Sequence, residues 1–325
     1  MKVFTFCTYE GGYTLKIRFW GTRGSIPSPG PSTVRYGGNT PCVEVRTEDG
    51  SLIIIDCGSG IRELGNALLA SGKPVKGSIL LSHTHWDHIQ GFPFFKPAFI
   101  PGNEFSLYGP EDTNHHIQKV LEGQMEHRYF PVTLNMMGAK ITFHELREGQ
   151  FKIDNATVSV HYMNHTSLTL GFRITEGNTS ICYCTDTEPH SLLTEPSDGD
   201  KSALRRFIHK SDTRFVEFIR GADLLVIDAQ YTKEEYSLKK GWGHSSIDYA
   251  VITALLGGVK RLCLYHHDPE HPDEMIDSFV IYSKNLIEHF GAHLDISAAE
   301  EGMEVHLSCK GAQDGSITTT YPRSR

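Results

Sequence analysis

The sequence has no apolar run near the roughly 18–20 residues that a membrane-spanning helix needs. Its longest apolar runs, Leu52–Ile55 and Leu224–Ile227, are strand-sized. It has no surplus of positive charge. Lys and Arg number 31 against 39 Asp and Glu, a formal net charge of −8, which argues against a protein that coats nucleic acid. Cysteine is sparse, seven residues, an odd number with no CxxC spacing. That is the pattern of free thiols in a reducing compartment. The opening Met1–Tyr9 lacks the apolar core of a signal peptide, so the expected location is the cytoplasm, with no membrane association. No internal repeat and no low-complexity tract is visible. What remains is 325 residues with 39% hydrophobic and 22% charged side chains, an ordinary globular balance and enough chain for a large core. One count is high: there are 18 histidines.

Short runs rich in Ile, Val and Leu predict strands at Thr14–Trp20, Cys42–Arg46, Leu52–Asp56, Ser78–Ser82, Thr157–Tyr162, Ser180–Thr185, Asp223–Asp228 and Arg261–Tyr265. Helical spacing and end signals predict helices at Ile61–Ala70, Glu111–Met125, Ser202–Ile219, Ser246–Leu256 and Asp273–Phe290. The mixture is α/β or α+β, with no clear interdomain linker. Many of the strands end in, or lead to, a group that binds metal or titrates: Asp56, His83, His165, Asp186, Asp228 and His266. Such endings predict one shared site on one rim of a sheet.

The segment His83-Thr84-His85-Trp86-Asp87-His88 puts three histidines and a carboxylate within six residues. Imidazole suits zinc and its neighbours, and the Asp adds a hard, charged oxygen. On a strand-to-helix turn, His83 and His85 can point one way while Asp87 and His88 serve a second position nearby. That arrangement suits two metals close together.

This HTHWDH segment resembles the signature of the metallo-β-lactamase superfamily. The similarity extends to Ser51–Gly60, which looks like the strand and Asp loop before the metal motif. The resemblance implies a four-layer αββα sandwich of two mixed β-sheets flanked by helices. It implies that His165, Asp186 and His266 complete the ligand set, with Asp186 bridging. One ion would take His83, His85 and His165, and the other Asp87, His88 and His266. His267 competes with His266 as the last ligand and is otherwise read as supporting a ligand or facing substrate. Two divalent ions are expected, zinc foremost, with manganese or iron compatible. Residues 14–310 are read as the catalytic domain, 1–13 as an N-terminal extension and 311–325 as a frayed tail.

Two more segments narrow the branch. Gly21-Thr22-Arg23-Gly24-Ser25 leads to Arg35-Tyr36-Gly37-Gly38-Asn39-Thr40, and Gly241-Trp242-Gly243-His244-Ser245-Ser246 precedes a helix. Together they resemble the phosphodiesterase branch, which includes tRNase Z and hydrolases of cyclic nucleotides. The resemblance implies a hydroxide shared by the metals as nucleophile, held in part by Asp87. It implies that His244 serves the leaving group or the scissile phosphate, and that a homodimer forms. The expected substrate is a small phosphodiester such as a cyclic nucleotide. An RNA substrate ranks lower, because the long Gly/Pro-rich arm of tRNase Z is not evident and the net charge is −8. An acyl hydrolase of the glyoxalase II or lactonase type is the alternative, since HTHWDH occurs there too.

Asp56 reads as fixing the ring of a ligand histidine, or as a simple turn residue, and Asp228 has the same two readings. Arg23 reads as a phosphate contact or a solvated loop arginine. The aromatic stretch Phe92–Phe99 reads mainly as core packing, with a base-stacking face or a dimer contact as alternatives. His115, His116 and His127 read as surface residues, and Cys182 and Cys184 as buried structural ones.

Overall fold

Leu52–Ile55 is apolar at every position, and all four residues are buried, Ile53 and Ile55 on one side and Leu52 and Ile54 on the other. A strand buried on both faces belongs in the middle of a layered fold. The computed structural model, which describes residues 14–112, 116–190 and 210–308, has that architecture. The expectations for residues 1–13, for 311–325, for His115 and for the start of the Ser202–Ile219 helix lie outside the described residues.

Two seven-stranded sheets lie face to face. The first contains β1 (Leu15–Gly21), β2 (Cys42–Thr47), β3 (Leu52–Ile55), β4 (Lys76–Leu80), β5 (Glu104–Pro110) and β6 (Lys140–Leu146), with β14 (Glu304–Leu307) at the β1 edge. The second contains β7 (Gly149–Ile153), β8 (Ala156–Met163), β9 (Thr169–Glu176), β10 (Thr179–Cys184), β11 (Leu224–Asp228), β12 (Arg261–Tyr265) and β13 (Asp295–Ala298), in that spatial order. In each sheet one half is antiparallel and the other parallel: β3 to β6 run parallel in the first, β10 to β13 in the second.

The central core lies between the sheets, where Ile17, Phe19, Ile53 and Ile55 meet Val158, Phe172, Tyr183 and Val226. Helices α1 (Ile61–Leu69), α2 (Trp86–Ile89) and α3 (Ile117–Gln124) cover the outer face of the first sheet. The outer face of the second carries α4 (Lys210–Ile219), α6 (Ile247–Gly257) and α7 (Asp273–His289). A shorter helix, α5 (Lys233–Leu238), starts with a capping box formed by Thr232 and Glu235. Ser246 caps α6 by accepting from the Tyr249 amide, and Gly291 follows α7 with φ +56°. This is the αββα arrangement expected. Among the described residues no helix is long and apolar enough to cross a membrane.

One expectation needs correction, and another is met. The helix predicted from Glu111 to Met125 is found as Ile117–Gln124; Glu111 instead extends the β5–β6 pairing, its amide donating to the Leu146 carbonyl at 2.9 Å. The Phe92–Phe99 stretch forms two short 3₁₀ turns, with Phe92 and Phe95 fully buried under α1, so core packing accounts for most of it. Phe94 alone among those two turns' aromatic rings is largely exposed.

Candidate metal centre

The parallel strands of both sheets deliver polar groups to one rim. His83 follows β4, Asp186 follows β10, Asp228 ends β11 and His266 follows β12. The chain must turn sharply there. Asp56, Asp186 and His266 all adopt φ between +51° and +61°, a left-handed conformation uncommon for residues other than glycine. Such conformations persist only where surrounding contacts fix them.

Two groups of four donors correspond to the expected ligand sets, and Asp186 belongs to both. His83, His85, His165 and Asp186 form one, and Asp87, His88, Asp186 and His266 the other; a third group, Asp186, Asp228, His244 and His266, overlaps the second, and in each the donor atoms lie within 4.8 Å of one another. In the first group, His165 Nε2 lies 3.1 Å from His85 Nδ1, and Asp186 Oδ2 lies 3.5 Å from His83 Nε2 and 3.6 Å from His165 Nε2. In the second, His266 Nε2 lies 3.1 Å from Asp87 Oδ2, 3.3 Å from His88 Nε2 and 3.3 Å from Asp186 Oδ1. Donors on a tetrahedral zinc, at about 2.0–2.1 Å from the ion, stand roughly 3.3 Å apart. His83 Nε2 is buried with no hydrogen-bond partner and is aimed at this cluster. An orphaned buried nitrogen is costly, and a cation is the partner this donor set suits. The side chains therefore fit metal ions.

The charge states agree with this reading. Burial lowers the pKa of His83 far below the ordinary value, and it lowers those of His85 and His165 too, so all three keep a lone pair. Burial opposes ionisation of Asp87 and Asp186, yet the neighbouring histidines outweigh it and hold both carboxyls well below the usual range. Burial likewise opposes charging of His88, but Asp87, Asp186 and Asp56 prevail and draw the ring toward imidazolium. Anionic oxygens and a proton-seeking ring in a dry pocket mark a place for positive charge.

Supporting contacts set the ring orientations. Asp56 is wholly buried, accepts from Ser82 N at 2.7 Å, Ser82 Oγ at 2.9 Å and Tyr183 OH at 2.7 Å, and pairs with His88 Nδ1 at 2.8 Å. A proton held on Nδ1 leaves His88 Nε2 free for the cluster. Gln230 Oε1 lies 3.2 Å from His266 Nδ1, and His165 Nδ1 donates to the Gly243 carbonyl at 2.7 Å. Asp87 Oδ2 also accepts from Ser25 N at 2.8 Å. The two loop motifs earn their glycines here. A Cβ at Gly24 would lie 2.3 Å from His266 Nδ1, and one at Gly243 would lie 2.2 Å from His165 Nδ1.

His244 sits beside both groups, stacked on His266 at 4.9 Å and next to His165 at 5.3 Å. Its Nδ1 pairs with Asp228 Oδ2 at 2.8 Å. Burial would push its pKa down, but the charge and hydrogen bond of Asp228, with Asp186 and Asp87 behind, carry it up to about 9. Asp228 also accepts from the amides of Thr187, Gln230 and Ser245.

Two residues differ from expectation. Arg23 is neither solvated nor free for a phosphate: it is fully buried, and its guanidinium donates to the carbonyls of Gly37, Asp268 and His271 beside Asp273. It ties the Gly21–Ser25 loop to the segment that follows β12. His267 points away from the donors and donates to the Ala299 carbonyl at 3.0 Å, and burial pushes its pKa down to about 3. The sequence reading missed Glu188. Its carboxylate accepts from the amides of Gly241 at 2.7 Å and Gly243 at 3.1 Å and from Tyr236 OH at 3.0 Å, so it pins the loop that carries His244. The only sequence signal was its place two residues after Asp186. Of the histidines read as surface residues, His116 pairs with Glu145 at 2.7 Å at the entrance of α3, far in sequence from every donor.

A model of the beta-lactamase superfamily domain matches residues 52–267. The chain belongs to that superfamily. The matched span runs from β3 to the residue after His266. A relative named Ribonuclease Z, from Trichodesmium erythraeum, is 23% identical over 290 residues, covering 79% of this chain and 85% of its own. Two solved structures share the fold at 20% identity. A diphosphatase from the PhnP family has a TM-score of 0.60, covering 90% of this chain and 96% of the other. Human tRNase Z, short form, has a TM-score of 0.59, covering 90% of this chain and 99% of the other.

Proposed function

We propose that the protein is a dinuclear metal-dependent phosphodiesterase. The observation that carries this reading is the His244–Asp228 pair at the edge of the donor cluster. Its 2.8 Å contact with the fully buried Asp228 carboxylate holds the ring in place and favours a proton on it, beside the place where a phosphate would lie. Acyl transfer from a thioester has a good leaving group already; a ribose alkoxide needs a proton.

His83, His85 and His165 would hold one cation, Asp87, His88 and His266 the second, with Asp186 shared. Zinc is favoured by the imidazole-rich set, and manganese or iron is compatible with it. Bound there, two divalent ions supply positive charge against a phosphodiester and lower the pKa of water toward neutrality. Asp87, fixed by Ser25 N and His266, would accept a hydrogen bond from the attacking water. Asp56 and Gln230 would hold the rings of His88 and His266 in place. His244 would release a proton to the departing oxygen while Asp228 steadies its other nitrogen.

Two substrates share this chemistry, an RNA strand and a small diester such as a cyclic nucleotide. The names of the relatives favour RNA, which moves ahead of the cyclic nucleotide placed first from sequence. The net charge of −8 is the argument for the smaller molecule. A homodimer rests on the family resemblance alone, and light scattering over a wide concentration range tests it. The function is tested by a panel on metal-loaded protein: short RNA, a dinucleotide, cyclic mononucleotides, a thioester and a lactone. Turnover of phosphodiesters well above that of both acyl substrates is expected. Fast thioester or lactone turnover with no diesterase activity would overturn the proposal.

A further inference from the structure

The chain contains three tryptophans, and two of them stand exposed beside the donor cluster. Trp86 is 81% exposed and Trp242 is 61% exposed, although a tryptophan offers a large area that cores normally take up. Both are held outward by rigid surroundings. Trp86 opens α2, whose next three residues, Asp87, His88 and Ile89, are all buried. Trp242 lies between two glycines of positive φ, Gly241 at +87° and Gly243 at +86°, and the amides of both donate to Glu188. The loop thus has its backbone tied down on either side of an indole that touches solvent.

The positions of these two residues relative to the site follow from one ring. Trp86 directly follows His85, and Trp242 directly precedes Gly243. His165 joins those two neighbours, with Nε2 at 3.1 Å from His85 Nδ1 and Nδ1 donating to the Gly243 carbonyl at 2.7 Å. Its two nitrogens point apart, so the tryptophan-bearing segments lie on two sides of the same donor histidine. The third tryptophan has a different setting: Trp20 donates to Glu44 Oε2 at 2.9 Å with Arg18 over its ring.

We infer that Trp86 and Trp242 are stacking platforms for the two bases that flank the scissile phosphate. This rests on the phosphodiesterase reading and deepens it. Flat, exposed indoles accept any base face, so the contact selects for a nucleotide strand without selecting a sequence. Two platforms on two sides call for two bases, which favours an oligonucleotide over a cyclic mononucleotide.

The test uses metal-loaded full-length protein, with Trp86→Ala, Trp242→Ala and the two Phe variants. Rates are measured with diadenosine monophosphate and with methyl p-nitrophenyl phosphate, which has no base. In each Ala variant the ratio of kcat/KM for the dinucleotide to that for the simple diester should fall about 5- to 150-fold, the usual loss for a removed base–aromatic stack. The loss should appear mainly in KM, and each Phe variant should recover most of it. A diadenosine phosphorothioate, which is cleaved slowly, should quench tryptophan fluorescence in the parent and less in each Ala variant. A ratio that does not change, or a change in oligomeric state in either Ala variant, overturns the inference and leaves the phosphodiesterase reading standing. A parent that cleaves neither diester overturns that reading instead, and an absence of quenching there overturns the stacking as well.

Discussion

Asp56→Asn probes how the centre is assembled without touching a donor. In the parent, Oδ1 accepts from Ser82 N at 2.7 Å, while Oδ2 serves Ser82 Oγ at 2.9 Å, His88 Nδ1 at 2.8 Å and Tyr183 OH at 2.7 Å. Asparagine keeps one acceptor and turns the other oxygen into a donor. With the oxygen kept for Ser82 N, the new NH₂ faces His88 Nδ1 and two hydroxyls. The hydroxyls can rotate. The ring can only accept by moving its proton to Nε2, the nitrogen 3.3 Å from Asp186 Oδ1. The donor that a cation needs is then blocked. Asn also tolerates φ of +60°, so the backbone at this position is not an added strain. Metal affinity should fall about 10- to 100-fold, the range for losing such an outer partner. The metal-free protein should lose about 2–3 kcal/mol, because charge-assisted hydrogen bonds go with the carboxylate. Competition against a chromogenic chelator reads the first quantity and urea unfolding the second. A variant that holds both ions with parental affinity would refute the assignment of Asp56 as the group that orients His88.

Asp186→Ala should lose ions from both positions at once, since Asp186 belongs to both donor groups; elemental analysis near two per chain in the parent and well below one in the variant is expected. If His244 works as the proposed acid, its raised pKa of about 9 predicts activity that is present below that value and lost as pH rises through it. Bound cations would lower the midpoint, so the alkaline limb of kcat should fall at or below about pH 9, and Asp228→Asn should move it further down. Arg23→Ala strands three carbonyls and Asp273 in the interior; a loss of about 3–5 kcal/mol in urea unfolding is expected.

The site was legible because it is built from strand ends. The apolar stretches of β3, β4, β10, β11 and β12 are buried, so the titratable residue at or just beyond the end of each stands out, and these residues, Asp56, His83, Asp186, Asp228 and His266, lie in or against the donor groups. Strands such as β6, β7, β13 and β14 carry polar residues through their length and sit at or near sheet edges, so no run marks them. Arg23 was misread because its partners, Asp268 and His271, lie some 245 residues away in sequence. Glu188 and Tyr183 escaped notice for the same reason: each acts on a loop or ring supplied by a distant segment. Local pattern reveals which residues are polar at a rim, while contact across the two sheets decides what each of them holds.

The most direct test of the central claim is the leaving-group dependence of His244→Ala in metal-replete protein. The parent and the variant are compared on a diester that expels a ribose oxygen and on one that expels p-nitrophenolate. If His244 protonates the leaving oxygen of a phosphodiester, the ribose rate should fall about 10²- to 10⁴-fold. The p-nitrophenolate rate should fall far less, because that anion needs little protonation. An unchanged ribose rate with both ions in place would contradict the account.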